Sequence, residues 1–325
     1  MLKKKIVFLI LPDVQILDLG GPLQTFYEAN VYGANYQIEL CSLKPNEKSE
    51  QYLQFINLKH FSEIKLNNDD MILIPGFNGS YLSKDELAKF DPAIFDWLRL
   101  ANTNGATICS ICNAAFVLAY AGLLDGKKCT THWYRFEQLA KEYPNVNVMT
   151  NRLFVKDGNI YSSAGITAGI DLALSLIEDD YGPVFTAKIA KELVVYMRRD
   201  SQHSQLSTYL DYRTHLNSSI HKVQDYIINH PSHKVKLDSL AEIAGMSSRN
   251  LTRIFKKETG LTINEFTNKI RLELAKDLMN NPDLTIENIA RECGFEDPRQ
   301  FRRLWKLQSG VSPSDSRRLL MVSNL

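Results

Sequence analysis

The sequence predicts two domains: an α/β domain with a parallel sheet, followed by an all-α domain of two helix-turn-helix units. Residues 1–199 alternate short, unbroken apolar runs with helix-like segments, a pattern typical of a parallel sheet covered by helices on both faces. The last third contains one helical pattern written twice, with a glycine in the turn of each copy. A chain of 325 residues is long enough to build two hydrophobic cores.

Apolar runs rich in β-branched or bulky residues predict the strands of the sheet. These runs are 6–11, 38–43, 71–74 and 106–111. Helix-like segments lie between and after them, at 22–30, 85–102, 113–121 and 168–179. The α/β domain is therefore expected to span residues 1–199. The polar stretch 200–217 is expected to be a linker, and residues 218–325 the all-α domain.

Charge is distributed unevenly along a chain of ordinary globular composition. The net charge is +1, with 44% hydrophobic and 23% charged residues, so disorder is not expected. Residues 218–325 carry 17 Lys/Arg against 13 Asp/Glu, whereas residues 1–217 carry 21 against 24. The basic excess lies on the repeated helices, where contacts with nucleic-acid phosphates would require it.

No segment is typical of export or of membrane insertion. Lysines precede the apolar run 6–11, but the run is short and Pro12 and Asp13 end it without a small-residue cleavage site, which favours a buried strand over a signal peptide. The most apolar stretch, 114–124, is too short to cross a bilayer. An odd number of cysteines, five, argues against a disulfide scaffold. A cytoplasmic protein is expected.

The repeat in the last third pairs residues of matching character. The first copy contains Leu240, Ala241, Gly245, Met246, Leu251, Arg253, Phe255, Lys256 and Gly260. The second contains Ile289, Ala290, Gly294, Phe295, Phe301, Arg303, Trp305, Lys306 and Gly310. The offset changes from 49 to 50 within the turn, where an insertion disturbs the structure least.

In the first copy, Ser239 and Glu242 form a capping-box signature that predicts the start of a helix. Gly245 allows a left-handed turn, and Ser247 is placed to cap the second helix. The predicted buried stripe of that helix leaves three polar residues exposed near its start: Arg249, Asn250 and Arg253.

The second copy repeats this layout. Asp297 is predicted to cap a helix whose first residue is Pro298. The exposed residues near its start are Arg299, Arg302 and Arg303. An arginine can donate two hydrogen bonds to guanine O6 and N7, a pair that discriminates between bases by roughly 1–3 kcal/mol. The alternative is a pair of ordinary amphipathic helical hairpins whose basic faces are simply solvated. Because two copies occur in register, DNA binding is favoured over this alternative.

The helix predicted between the copies, with Phe266, Arg271 and Ala275 in place, resembles the linker helix of AraC/XylS-type regulators. The closing run Gly310-Val311-Ser312-Pro313 resembles that family too. The resemblance implies that Arg249 and Arg253 contact bases in one major-groove segment, and Arg299 and Arg303 in the next. It also implies double-stranded promoter DNA and RNA polymerase as partners, with activation favoured over repression. Asn250, Lys256 and Arg302 are expected to belong to the DNA-binding surface too, with Lys256 in contact with a phosphate.

A second pattern lies in the predicted α/β domain. The strand predicted at 106–111 leads directly to Cys112 and then to a helix, an arrangement that holds a nucleophilic side chain above a sheet. Asp18 follows the first predicted strand, and His132 ends another short one. All three could converge at the carboxyl ends of the parallel strands. From the residues alone, a helix-capping role for Asp18 and a buried structural role for His132 are favoured over a shared site. No metal-ligand cluster or phosphate loop is present, so no metal and no cofactor is expected.

This arrangement, together with Thr131-His132-Trp133 and the run 163–171, resembles the PfpI-like branch of the class I glutamine amidotransferase superfamily. It is especially similar to regulators that join such a domain to an AraC-type tail. The resemblance implies a flavodoxin-like parallel sheet sandwich, a homodimer formed through the α/β domain, and a small-molecule effector. The effector is expected to bind near Asp18, Gly76, Cys112, Asn113 and His132.

Three hypotheses for Cys112 stay open: a residue of a sensor pocket, the nucleophile of a cofactor-free hydratase or amidase, and a structural or redox-sensitive thiol. A dithiol with Cys109 belongs to the third. The sequence differs from the family at Cys112-Asn113-Ala114, where Cys-Thr-Gly is usual, and at Ile74-Pro75-Gly76-Phe77, where a second glycine is common. Both places would help to form an oxyanion hole, so sensing is favoured over turnover.

Overall fold

The structure is a computed structural model that describes residues 3–150, 152–195, 205, 212, 215–234, 236–279, 281 and 283–323. The chain divides into two compact units, Met1–Gln205 and Leu206–Leu325. The linker predicted at 200–217 lies for the most part outside the described residues.

The N-terminal unit contains the strands and the first seven helices of the described chain. Its strands are β1 (Lys4–Ile10), β2 (Tyr36–Ser42), β3 (Glu47–Lys48), β4 (Gln54–Phe55), β5 (Lys59–His60), β6 (Met71–Ile74), β7 (Thr107–Ile111), β8 (Lys128–Cys129), β9 (Asn147–Val148), β10 (Phe154–Asp157) and β11 (Ile160–Ser163). Its helices are α1 (Ile16–Val31), α2 (Lys84–Leu87), α3 (Pro92–Thr103), α4 (Ala115–Tyr120), α5 (Phe136–Glu142), α6 (Thr167–Tyr181) and α7 (Pro183–Glu192).

The main sheet has seven strands in the order β10-β11-β7-β6-β1-β2-β5. Neighbouring strands are parallel, except that β10 and β11 form an antiparallel pair at one edge. Alternate residues of β1 enter two separate cores: Val7 and Leu9 join one, whereas Ile6, Phe8 and Ile10 join the other. Helices α3 and α4 contribute to the first core, and α1 and α6 to the second. The predicted flavodoxin-like sandwich is therefore confirmed.

Each of the four predicted strands is found within one or two residues of its expected position. The single helix predicted at 85–102 is wrong, because α2 and α3 occupy that segment. Asp91 accepts a hydrogen bond from the backbone N–H of Ala93, and Pro92 is the first residue of α3. Proline is favoured at the first position of a helix, where its missing N–H would have no partner, and a capping Asp91 precedes it, so one helix ends and another begins there.

The order of the strands brings three loops to one edge of the sheet. The chain passes from β1 through α1 to β2 on one side, and then crosses to β6 and β7 on the other. Ligands of open parallel sheets bind where the strand order reverses in this way. Asp18 lies in the first turn of α1, Gly76 follows β6, and Cys112 follows β7 directly.

The described residues of the C-terminal unit form helices joined by turns and loops, and none of them forms a strand. Its helices are α8 (Ser218–Asn229), α9 (Leu237–Ala244), α10 (Ser248–Thr259), α11 (Ile263–Met279), α12 (Ile286–Glu292), α13 (Pro298–Ser309) and α14 (Pro313–Ser323). Helices α9 and α10 form the first helix-turn-helix unit, and α12 and α13 the second. The linker helix α11 contributes Phe266 and Ile270 to the core of the first unit, and Leu272 and Ala275 to that of the second.

Most of the predicted helix ends are confirmed. Gly245 adopts the left-handed conformation with φ of 66°, and Ser247 and Asp297 accept hydrogen bonds that cap α10 and α13. The capping box predicted at Ser239 and Glu242 is wrong, because α9 begins at Leu237 and Ser239 lies inside its first turn. None of the helices in the described segments combines the length and the hydrophobicity that a membrane span would need.

Candidate functional site

Cys112 occupies the sharp turn between β7 and α4. Its φ is +59°, a left-handed conformation that strains a residue with a Cβ. The side chain is 8% exposed. Gly165 crosses directly over it with φ of +86°, and a Cβ on Gly165 would lie 2.6 Å from Cys112 Cα and 2.9 Å from its Sγ. The missing side chain of Gly165 is therefore what lets the two loops meet over the thiol.

Asp18 lies fully buried beside this thiol. Its Oδ1 accepts a hydrogen bond from the backbone N–H of Ile166, a residue held at φ of +52°. Its Oδ2 accepts no bond from an N–H or O–H group in the described part of the chain, and a Cβ on Gly76 would collide with that oxygen. The Cys112 thiol is the side-chain hydrogen-bonding neighbour of this carboxyl group. Burial raises the pKa of Asp18 to about 6, while the bond from Ile166 opposes the rise. Asp18 is thus a buried carboxyl group that titrates near neutral pH.

The same surroundings suppress ionisation of the thiol. Burial raises the pKa of Cys112 well above its ordinary value, and the nearby Asp18 charge raises it further. A hydrogen bond from the backbone N–H of Asn113 and the charge of Arg135 act in the opposite direction but are weaker. The net direction disfavours the thiolate at Cys112, whereas cysteine nucleophiles and redox sensors depend on a lowered thiol pKa.

Asn113 binds the loop that follows Gly76. Its Oδ1 accepts a hydrogen bond from the backbone N–H of Phe77 at 3.0 Å, and its Nδ2 donates to the carbonyl oxygen of Phe77 at 2.7 Å. Asn113 and Phe77 lie in the two segments, 112–114 and 74–77, where the sequence differs from the PfpI-like pattern. The structure joins these two segments in one contact. The side chain of Asn113 thus fixes the loop. It also accepts the hydrogen bond of the Phe77 backbone N–H, a group that lies beside the thiol.

His132 is connected to Cys112 through its neighbour in the chain. Thr131 donates a hydrogen bond from Oγ1 to the carbonyl oxygen of Cys112 at 2.9 Å. His132 lies beyond the end of β8 and begins the short 3-10 turn Trp133–Arg135. Its ring makes no hydrogen bond to any residue that the structure describes. Burial, followed by the charge of Arg135, lowers the pKa of His132.

The structure therefore brings Asp18, Gly76, Cys112 and Asn113 together, and it places His132 nearby without a direct bond. Sequence reasoning missed Gly165, Ile166 and Arg135 as members of this site. The run 163–171 carried a signal for the first two, whereas no spacing pattern in the sequence pointed to Arg135. Across the described segments, no three His, Cys, Asp or Glu side chains are grouped as a metal site would require.

The first helix-turn-helix unit presents a basic surface. Arg249, Thr252, Arg253, Lys256 and Lys257 line one open face of α10. The four basic side chains are exposed, and Arg253 donates a hydrogen bond to Asn250 Oδ1 at 2.9 Å. The opposite face of α10 buries Leu251 and Phe255 completely. The sequence did not single out Thr252 or Lys257, although both follow from the spacing of the exposed face.

In the second unit, the basic residues at the start of α13 are not equivalent to one another. Arg299, Arg302 and Arg303 are all exposed, as expected. Arg302 forms an ion pair with Glu287 on α12, whereas Arg299 and Arg303 make no ion pair among the described residues. Arg302 therefore has a partner within the protein, and the other two arginines are the better candidates for base contacts.

Within the C-terminal unit, a close contact fixes the two helix-turn-helix units against each other. Gly294 has φ of +83°, and a Cβ there would lie 2.6 Å from the carbonyl oxygen of Ser232. Arg271 of α11 donates hydrogen bonds to the carbonyl oxygens of Pro231 and His233, at 2.8 and 3.0 Å. Its guanidinium group also lies 5.7 Å from the centre of the Phe295 ring. We call this contact between the 231–234 loop and the 294–296 turn the inter-unit clamp.

Comparisons with known proteins match both parts of the chain. Residues 4–179, more than half of the chain, match the DJ-1/PfpI family, and residues 240–319 match a helix-turn-helix domain. The HTH-type transcriptional regulator CdhR of Pseudomonas aeruginosa is 29% identical over 317 residues, which cover 96% of this chain and 91% of that protein. The isonitrile hydratase of Pseudomonas putida is 33% identical over 196 residues, or 59% of this chain and 78% of the hydratase.

The fold has a counterpart among solved structures. The crystal structure of DJ-1beta from Drosophila melanogaster superimposes with a TM-score of 0.51 at 21% identity, and covers 59% of this chain and 98% of that one. The chain therefore belongs to the DJ-1/PfpI family, and its second domain makes it an AraC-type helix-turn-helix transcriptional regulator.

Proposed function

We propose that this regulator binds promoter DNA through α10 and α13 and responds to a small metabolite that binds near Cys112. The observation that carries the proposal is the pair of exposed basic surfaces at corresponding places on two helices of one compact unit. Such a pair matches two successive segments of the major groove.

We assign each basic residue a proposed contact with the DNA according to its position on the helix and its partners within the protein. Arg249 and Arg253 on α10, and Arg299 and Arg303 on α13, contact base edges. Asn250 holds Arg253 in place through its hydrogen bond and adds a polar group to the same surface. Lys256, one turn further along α10, contacts a phosphate. Arg302 orients α13 against α12 through Glu287 and makes at most a phosphate contact.

Sensing, rather than catalysis, is the role we assign to the Cys112 site. A cysteine hydrolase needs an ionised thiolate and backbone N–H groups that point at the developing oxyanion. Here burial disfavours the thiolate. The N–H group of Phe77 already donates to the Asn113 side chain, and the N–H group of Asn113 donates to the thiol. This arrangement supports a site that binds a metabolite without attacking it.

We also propose that the protein forms a homodimer through its α/β domain and activates transcription together with RNA polymerase. An apolar groove of ≈ 390 Å³ lies next to the thiol site, on the surface of the N-terminal unit. It is lined by Gln15, Ile16, Leu17, Gln51, Leu53 and Ile166. Leu17 and Leu53 are 63% and 55% exposed, an amount of apolar surface that a second subunit would cover.

Selection of bound sequences from a random duplex library at near-physiological salt tests DNA binding. We expect the wild-type protein to enrich two sequence blocks about one helical turn apart. The double variant Arg253→Ala/Arg303→Ala should lose that enrichment. Recovery of no motif by the wild-type protein, with or without pooled metabolites, would overturn the proposal.

The effector site is tested with the Cys112→Ala variant. We expect it to abolish the response of DNA binding to effector while the affinity for operator DNA stays unchanged, because Cys112 and the basic surfaces lie in different units. A variant that still responds fully to effector would mean that the effector binds elsewhere.

The second candidate function is a cysteine-dependent hydratase with an attached DNA-binding domain. The strained backbone of Cys112 and the similarity to an isonitrile hydratase favour this candidate. Full-length protein incubated with a simple isonitrile would then form the N-substituted formamide, and Cys112→Ala would not. Formation of no product above background by either protein favours the sensor.

A further inference from the structure

A charged side chain, that of Arg135, also lies at the thiol site. Arg135 ends the 3-10 turn that begins after His132, and its backbone N–H donates to the carbonyl oxygen of His132 at 2.8 Å. Its side chain reaches across to the loop that follows β6, where a Cβ on Gly79 would collide with Nη2. The guanidinium group therefore bridges the two loops that flank Cys112, and the missing side chain of Gly79 makes room for it.

This guanidinium group is oriented by neutral partners. Its Nη1 donates a hydrogen bond to Gln138 Oε1 at 2.9 Å, and Gln138 in turn donates to Glu142 Oε1 at 2.9 Å. Its carbon Cζ lies 5.5 Å from the centre of the Tyr134 ring. Among the described residues Arg135 forms no ion pair, unlike Arg99 of the same unit, which is paired with Asp96.

The remaining atoms of the group are arranged to receive an anion. Nη2 and Nε have no hydrogen-bond partner among the described residues, and together they form one side of the planar fork that matches a carboxylate. The positive charge also acts on the site: it opposes the rise in the pKa of Cys112, and after burial it contributes to the lowered pKa of His132. Trp133 and Tyr134, 46% and 69% exposed, add aromatic surface beside it.

We propose that Arg135 binds a carboxylate group of the effector, and that the effector is therefore a small carboxylate-bearing metabolite. This inference rests on the proposed function, because it places the effector in the site assigned to it there. One guanidinium group matches the single charge and the planar shape of a carboxylate, and the neutral Gln138 leaves that charge for the ligand to neutralise.

Acetate, which carries only the proposed head group, is the probe. We expect titration of the full-length protein with acetate, at constant ionic strength, to shift the NMR signal of the His132 ring with saturation in the millimolar range. His132→Gln identifies that signal. Acetamide, which has the same shape without the charge, should produce no saturable shift. Inorganic phosphate should bind at least 10-fold more weakly than acetate.

Three variants sharpen the test. Arg135→Gln should weaken acetate binding at least 10-fold, and Arg135→Lys, which keeps the charge but loses the fork, should give an intermediate affinity. Arg99→Gln is the matched control, since it removes an arginine of the same unit that has an acidic partner, and it should bind as the wild-type protein does. If Arg135→Gln does not fold, the comparison of acetate with acetamide in the wild-type protein still decides.

The carboxylate proposal is overturned if acetate gives no saturable shift, if acetamide binds equally well, if phosphate binds more tightly, or if Arg135→Gln binds as the wild-type protein does. If acetate does not bind but the wild-type protein still selects a DNA motif from the random library, only the carboxylate site is rejected. Failure of the selection, with acetate still bound through Arg135, rejects the proposed regulator function and leaves the anion site standing.

Discussion

The two regions assigned to function are built in opposite ways. The thiol site consists of buried polar groups on strained backbone: Asp18 is inaccessible, and Cys112 and Ile166 have positive φ. The basic surfaces of α10 and α13 consist of exposed side chains on regular helices that begin with capped turns. Strained, buried groups depend on their neighbours, whereas exposed groups on a helix act almost independently. Substitutions should therefore have coupled effects in the first region and separable effects in the second.

The largest expected effect is in the thiol site. Gly165→Ala should lower the free energy of unfolding by about 3 kcal/mol or more, because the new Cβ meets Cys112 at a position that already has positive φ. Gly122→Ala is the matched control, since Gly122 has φ of +73° with nothing within 4 Å of the added Cβ, and should lose about 1 kcal/mol. Urea unfolding measures both. Equal losses would contradict the close approach at Cys112.

The buried carboxyl group should make stability depend on pH. The pKa of Asp18 is raised from 3.8 to about 6, so the folded state binds the proton more tightly than the unfolded state does. The stability that protonation provides is complete at low pH and is lost as pH rises from about 4 to about 6, a loss of about 3 kcal/mol at 1.36 kcal/mol per pKa unit.

Urea unfolding between pH 4 and pH 7 measures this slope as a difference between the wild-type protein and Asp18→Asn. The difference isolates Asp18, since the other groups titrate in both proteins. Cys112→Ala should retain most of the slope, because burial is the main cause of the shift. A slope that persists unchanged in Asp18→Asn would show that a different group titrates.

On the basic surfaces, single substitutions should act separately. Arg253→Ala should weaken binding to the selected operator by about 1–3 kcal/mol and relax base preference in one block only. Lys256→Ala should weaken specific and random DNA to a similar degree, and should reduce the salt slope by about one. Fluorescence anisotropy at several salt concentrations distinguishes the two outcomes. If Arg253→Ala weakens random DNA as much as operator DNA, Arg253 does not contact bases.

The smallest effect is expected at Arg302. Its ion pair with Glu287 is exposed, so Arg302→Ala should lower stability by less than about 1 kcal/mol and leave base preference unchanged. A double-mutant cycle with Glu287→Ala measures the coupling, and Arg303→Ala is the matched comparison for DNA binding. A change of base preference in Arg302→Ala alone would assign Arg302 to the DNA contacts and remove the distinction between the three arginines.

The same contrast explains what could be predicted from the sequence. Periodicity and capping residues place Arg253 and Arg303 on exposed helix faces, because on a helix sequence spacing determines direction. Spacing says nothing about Gly165 and Arg135, which reach the thiol from other loops of the chain. The Asn113–Phe77 contact joins two departures that looked independent in the sequence. Ser239 failed as a cap because a helix boundary shifts easily by two residues when several polar residues precede it.

The inter-unit clamp has a consequence for the DNA rather than for the protein. B-DNA rotates by about 34° per base pair, since a turn takes about 10.5 base pairs. With Ser232 in contact with Gly294, α10 and α13 cannot follow an added base pair by rotating against each other. The number of base pairs between the two sequence blocks should therefore be the same in every operator. Promoters with a different spacer length should not be bound specifically by this regulator, however well each block matches.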